Sequence, residues 1–247
     1  MVTETWNKGI LMNFLELEDK PSGSFMDQDT KQLYQKNLKT QPPDWKYREK
    51  IVQYKLNSHN YRTREFNTIP WAESVVIFGC SYVFGIGAAL DETIAAQLSS
   101  IIKRPVVNMG APGSSATFSL YNSSILRKKY PKPAGIVFAW TSAARCTLFL
   151  PDDTTVHCGS WMEDVGGLGK AWRRFDSNAY THLNFTRQCA QQMWDDIPYA
   201  DLTLFPSNRF MTDCPYIKQI DYGRDCCHPG METNKQSAYA IAEQLNL

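Results

Sequence analysis

The sequence predicts an α/β protein built on a parallel sheet with both faces covered, and three observations carry that expectation. Short apolar, β-branched runs recur at Ser74-Val-Val-Ile-Phe-Gly79, Pro105-Val-Val-Asn-Met-Gly110 and Gly135-Ile-Val-Phe-Ala-Trp140, as buried parallel strands require. Helical patterns separate them. The connections are short, which for strand–helix–strand units implies right-handed crossovers.

The elements follow in order. Residues 1–70 are polar and turn-rich, with Pro21-Ser-Gly-Ser24 and Gln41-Pro-Pro-Asp44. They are expected to form an arm that wraps the domain, the part before about residue 50 being dispensable for the fold because its composition cannot build a separate core. A domain at 71–247 follows. After the first strand, Asp91 is expected to cap a helix reaching Ile102, with Ile94, Ala95, Leu98, Ile101 and Ile102 at helical spacing. A second helix is expected from Ser114 to Tyr130, closed by Pro131-Lys-Pro133. The stretch 147–176 is glycine-rich and reads as a loop insertion, a lid or cleft wall. A helix near 178–194, a strand at Asp201-Leu-Thr-Leu-Phe205 and a last helix from Pro229 to Leu245 complete the chain.

Composition excludes several classes. The chain of 247 residues carries 26 basic and 25 acidic side chains with no basic stripe, so a nucleic-acid surface is not expected. The first twenty residues lack a basic start and a long apolar run, and no segment approaches a membrane span. A cytoplasmic location is the corresponding expectation. Seven cysteines are then read as mostly reduced. Cys214, Cys226, Cys227 and His228 cluster in sequence, but without any C-x-x-C pair a zinc site is set aside, and no metal or cofactor is expected.

Ligands of open parallel sheets bind beyond the carboxyl ends of the strands. Those ends carry Gly79-Cys80-Ser81, Asn108-Met109-Gly110 and Trp140-Thr141-Ser142, and Asp225-Cys-Cys-His228 precedes the last helix. A serine hydroxyl needs a base, for which His228 is the candidate, and an imidazole needs a group to orient it, for which Asp225 is the candidate. Backbone N–H groups at Ser81 and Gly110 are candidate oxyanion donors. Asn108 is read as holding the turn around Gly110. Pro229 suits the first turn of the helix behind it. His59, His157 and His182 lack acidic or nucleophilic company at a telling spacing and are read as structural. The Gly85-Ile-Gly87 run lacks the third small residue of a dinucleotide loop, and Val83 breaks the G-x-S-x-G elbow.

These residues resemble the blocks of the SGNH (GDSL-like) hydrolases. Gly79-Cys80-Ser81 is similar to G-D-S with cysteine for aspartate, Asn108-x-Gly110 to the second block and Asp225-x-x-His228 to the last. Tyr54 to Asn57, Tyr61-Arg62 and Glu65-Phe66 resemble the lead-in of bacterial and phage members. The resemblance implies a three-layer α/β/α sandwich with a mostly parallel, flavodoxin-like sheet. It also implies hydrolysis of small acyl esters, on a small molecule, glycan or lipid, through Ser81, His228 and Asp225. The third block departs from the pattern. Its asparagine is replaced in Trp140-Thr-Ser-Ala143, which leaves either Ser142 as a shorter-reaching candidate donor or a site without that donor. That departure keeps a non-catalytic binding module open as an alternative, and an acyltransferase would use the same triad. The acyl group, the alcohol and the oligomeric state are not read from the sequence.

Overall fold

The computed structural model describes residue 17 and residues 22–150, 154–162, 178–208, 211 and 213–247. Among the described residues the strands are β1 (Val75–Gly79), β2 (Val106–Gly110), β3 (Gly135–Trp140), β4 (Cys146–Phe149), β5 (Thr155–Cys158) and β6 (Tyr199–Thr203). The α-helices among them are α1 (Lys31–Thr40), α2 (Ser81–Phe84), α3 (Ile94–Ile102), α4 (Ala116–Lys129), α5 (Ala179–Met193) and α6 (Met231–Leu245). The main sheet runs β2-β1-β3-β6, every pair parallel. The chain leaves β1 toward one edge and returns to the other side through β3. Strand order therefore reverses at β1, and a crevice opens beyond its carboxyl end.

Alternation along each strand sorts side chains onto two faces. Val76 and Phe78 of β1 join Val107, Met109, Ile136, Phe138 and Trp140 on one face, under Ile125 and Leu126 of α4, Leu183 and Ala190 of α5, and Trp194 at the C-cap of α5. Val75, Ile77, Val137, Ala139, Ala200 and Leu202 form the other, under α3 and α6. Each Val, Leu, Ile, Phe or Met among them removed from water stabilises the fold by roughly 1.5–3 kcal/mol. Asp201 is the buried charge of the first face. Arg187 Nε (2.6 Å), Trp140 Nε1 (3.0 Å) and Tyr199 Oη (3.2 Å) all donate to its Oδ2, which offsets the cost of burying it.

Several boundaries differ from the sequence expectation. Asp91 does not cap α3. It sits in a 3-10 turn, and Thr93 Oγ1 accepts from Ala96 N at 3.2 Å. The second crossover helix starts at Ala116 with Ser115 as its cap. The last helix starts at Met231, so Pro229 lies outside it and pairs with Tyr222 in a β-bridge instead. The insertion is not all loop, because β4 and β5 form an antiparallel hairpin; residues 163–177 lie outside the described residues.

The arm before residue 50 is built into the core. Met26 and Tyr47, together with Val52 and Tyr54 just beyond it, pack against Phe84, Ile86 and Ala89. Asp29, fully buried, takes Arg224 Nε at 3.0 Å and Nη2 at 2.7 Å on its two oxygens, and Tyr54 Oη donates to it at 2.6 Å. Composition misses this because the arm's few apolar and charged groups find their partners on distant segments. No described helix is long and apolar enough to cross a membrane.

Candidate active site

The carboxyl end of β1 runs through Cys80, whose extended backbone caps α2, so Ser81 opens that helix. Ser81 is buried, and its Oγ lies 2.9 Å from His228 Nε2. The other imidazole nitrogen, Nδ1, lies 2.5 Å from Asp225 Oδ2. Asp225 Oδ1 accepts backbone N–H groups from Cys227 (3.2 Å) and His228 (3.1 Å). One carboxylate therefore folds the four-residue turn with one oxygen and holds the ring with the other. Because Oδ2 meets Nδ1, that nitrogen carries the proton in the neutral ring and Nε2 is free to accept from Ser81 Oγ.

Two buried networks hold these three side chains. Gly87 has φ +74°, and a Cβ there would stand 2.6 Å from Asp225 Oδ1; only glycine admits both the turn and that approach. Its N–H donates to Tyr54 Oη at 2.8 Å, and Arg224 N donates back to Gly87 O at 2.7 Å. Burial and the Asp29 carboxylate push the Tyr54 phenol well above its usual range, so it stays protonated as the donor to Asp29. Arg62 is equally buried. Its guanidinium donates to the carbonyls of Gln53, Gly85 and Ala88 and lies over the Tyr54 ring. The residues that resemble the family's lead-in thus brace the turn that leads from α2 to Gly87.

The strand-end residues of β2 take a role other than the one expected for Gly110. Its N–H donates to Asn108 Oδ1 at 2.9 Å, so it is not available to an oxyanion. Asn108 Nδ2 donates in turn to Val83 O at 2.8 Å. Asn108 therefore ties β2 to α2, and Gly110 lets the two backbones meet, because a Cβ there would approach Phe84 Cα to 2.9 Å. Gly110→Ala is expected to cost about 1–3 kcal/mol through overpacking and to lower turnover by displacing Ser81. A thermal melt and an ester assay on the variant check both.

A cleft of about 790 Å³ opens over Ser81 and His228. Its wall includes Ile86, Pro112, Gly113, Arg145, His157 and Trp161. Ser142 does not line it; that residue is half-buried and its carbonyl accepts from Arg145 N at 3.0 Å. Sequence reasoning missed Gly113, His157 and Arg145. Gly113 stands three residues past Gly110 in the same turn, and neither its N–H nor that of Ser81 has an acceptor among the described residues. His157 reaches the cleft because the hairpin carries it there, its Nδ1 lying 3.0 Å from Thr147 Oγ1. Tyr82 stands edge-on to His228 (5.4 Å between ring centres) and stacks on Phe205 (4.6 Å). Burial pushes its phenol up to about 12, so it stays neutral. Asp225, Cys227 and His228 offer ligand atoms within 4.8 Å of one another, but both imidazole nitrogens are already engaged.

No protein-family model and no curated protein matches the sequence. Solved structures do match. An acetyl xylan esterase from the rumen bacterium Butyrivibrio proteoclasticus is 9% identical, with a TM-score of 0.41; the match covers 72% of this chain and 65% of that one. A carbohydrate esterase family 2 enzyme with a carbohydrate-binding domain, from Corynascus thermopiles (Myceliophthora fergusii), is 14% identical with a TM-score of 0.43, covering 73% and 69%. A member of the lipolytic protein G-D-S-L family from Veillonella parvula is 13% identical with a TM-score of 0.35, covering 69% and 96%. This chain therefore spans about two thirds of the length of the first two. The solved structures it is similar to are carbohydrate esterases and G-D-S-L proteins, and the Ser81–His228–Asp225 geometry stands independently of that likeness.

Proposed function

We propose that the protein is a serine ester hydrolase of the SGNH type acting on small acyl esters. The observation that carries this reading is the continuous Ser81 Oγ–His228 Nε2 and His228 Nδ1–Asp225 Oδ2 chain (2.9 and 2.5 Å) at the floor of an open cleft. In the first half-reaction Ser81 Oγ attacks the acyl carbon while its proton passes to His228 Nε2. The C–OR bond then breaks, and the same proton leaves with the alcohol. Water repeats the sequence on the acyl-enzyme and releases the acid. Asp225 keeps the ring in the tautomer this needs and stabilises the imidazolium that forms.

Two N–H groups are the proposed oxyanion donors, those of Ser81 and Gly113. A third donor of the kind supplied by an asparagine side chain is missing from the end of β3. Losing one donor costs roughly 2.7–4 kcal/mol of transition-state stabilisation, so modest turnover is the expected behaviour. A fluorophosphonate that reacts only with activated serines separates enzyme from binding module. Mass spectrometry should place one adduct on Ser81, and 4-nitrophenyl acetate and butyrate should be cleaved. An unlabelled Ser81 together with no turnover of aryl esters or acetylated sugars would overturn the reading. Product formation that grows with an added alcohol at the expense of free acid would identify a transferase instead.

A further inference from the structure

The guanidinium of Arg145 is a cationic group of the cleft that the proposed hydrolysis does not use. It lies between two aromatic rings, 5.3 Å from the centre of Trp161 and 5.2 Å from that of Phe205. Phe205 stacks on Tyr82, and Tyr82 stands edge-on to His228. A chain of ring contacts therefore links the guanidinium to His228, and both residues line the cleft. Stacking on its faces leaves the N–H edge of a guanidinium as its binding surface.

One donor of that edge is unsatisfied. Arg145 Nη1 is buried and has no hydrogen-bond partner, and among the described residues no carboxylate pairs with the side chain. Arg187, half-buried like Arg145, is paired bidentately with Asp201, and the buried Arg62 donates to three backbone carbonyls. Tyr82 is neutral, and Asp27, which also lines the cleft, is exposed. A buried N–H donor without a partner is costly unless a ligand completes it. We infer that Arg145 is a specificity residue that binds an anionic group of the substrate, so that the preferred esters carry a carboxylate, phosphate or sulfate besides the ester itself. The planar fork matches such groups with two parallel N–H···O bonds.

This inference rests on the ester hydrolase reading, and its test keeps the two apart. Wild type, Arg145→Gln and Arg145→Lys would be assayed on 4-nitrophenyl butyrate and on the mono-4-nitrophenyl ester of glutaric acid, which places the anion on the acyl side. Acetylated methyl glucoside and acetylated methyl glucuronide place it on the alcohol side. Within one of these pairs the wild type should favour the anionic ester, and Arg145→Gln should lower kcat/KM for that ester about 10- to 100-fold, through KM, with the neutral partner nearly unchanged. Arg145→Lys should recover only part, lacking the fork. Independently of turnover, glutarate, glucuronate and inorganic sulfate would be titrated into the Ser81→Ala protein, where Arg145→Gln should remove binding. Equal losses of kcat on neutral and anionic esters would make Arg145 an oxyanion donor and overturn the inference while leaving the hydrolase reading intact. Silence of Arg145→Gln on every ester, with no anion bound, would overturn it as well.

Discussion

Ser81→Ala and His228→Ala are each expected to lower kcat on a cleaved ester by a factor on the order of 10³ to 10⁶, and the double variant to be scarcely slower than either. The reason is that on the proposed reading the 2.9 Å contact between Oγ and Nε2 acts as one proton-transfer unit, and removing either end removes the step. KM should change little, since neither group is needed to hold the ground state. Asp225→Asn separates positioning from folding. Its remaining Oδ1 can still accept from Cys227 and His228 N–H, so the turn should survive. Its new amide would meet the Nδ1–H of His228, favouring the wrong tautomer and lowering kcat by about 10⁴-fold. Steady-state kinetics of the four proteins, with thermal melts to show that each is folded, decide the matter. Additive losses in the double variant would mean that Ser81 and His228 do not act together.

Asp29→Ala is expected to destabilise the fold by about 3–5 kcal/mol, because it strands Arg224 as an unpaired buried cation. The side chains of Arg224 and Asp29 are 5% and 1% exposed, so water cannot replace the lost partner. For a chain of this size the melting temperature should fall by about 6–20 °C. Removing both charges as Asp29→Ala with Arg224→Met should cost less than removing Asp29 alone, because Phe25 and Tyr34 already flank the guanidinium as apolar neighbours and the uncompensated charge is gone. Differential scanning calorimetry of the single and double variants reads both effects. An Asp29→Ala protein that melts with the wild type would show that the arm is not seated on the Arg224 turn. The same physics argues against deleting the chain before residue 50. Such a truncation removes Asp29 together with Met26 and Tyr47, and it loosens the segment that carries Asp225 and His228.

Sequence alone determined the parts of this protein whose physics is local. A run such as Val75-Val-Ile-Phe78 is apolar at every position because both faces of a parallel strand are covered, and that is visible without knowing what covers them. The i, i+3 spacing of Asp225 and His228 is likewise local, since a single turn brings both side chains to one side. Boundaries were less legible. Thr93 rather than Asp91 caps α3 because a 3-10 turn intervenes, and both residue types make acceptable caps. Only the tertiary structure decided which glycine faces the cleft. Gly110 and Gly113 lie in one turn, and the choice depends on an asparagine side chain that takes the N–H of the first to tie β2 to α2. Only the tertiary structure could pair Asp29 with Arg224 across 195 positions, or set Arg145 between Trp161 and Phe205. Hydrophobic period and motif spacing report what a residue's near neighbours require, whereas a buried charge is defined by partners that only chain closure brings to it.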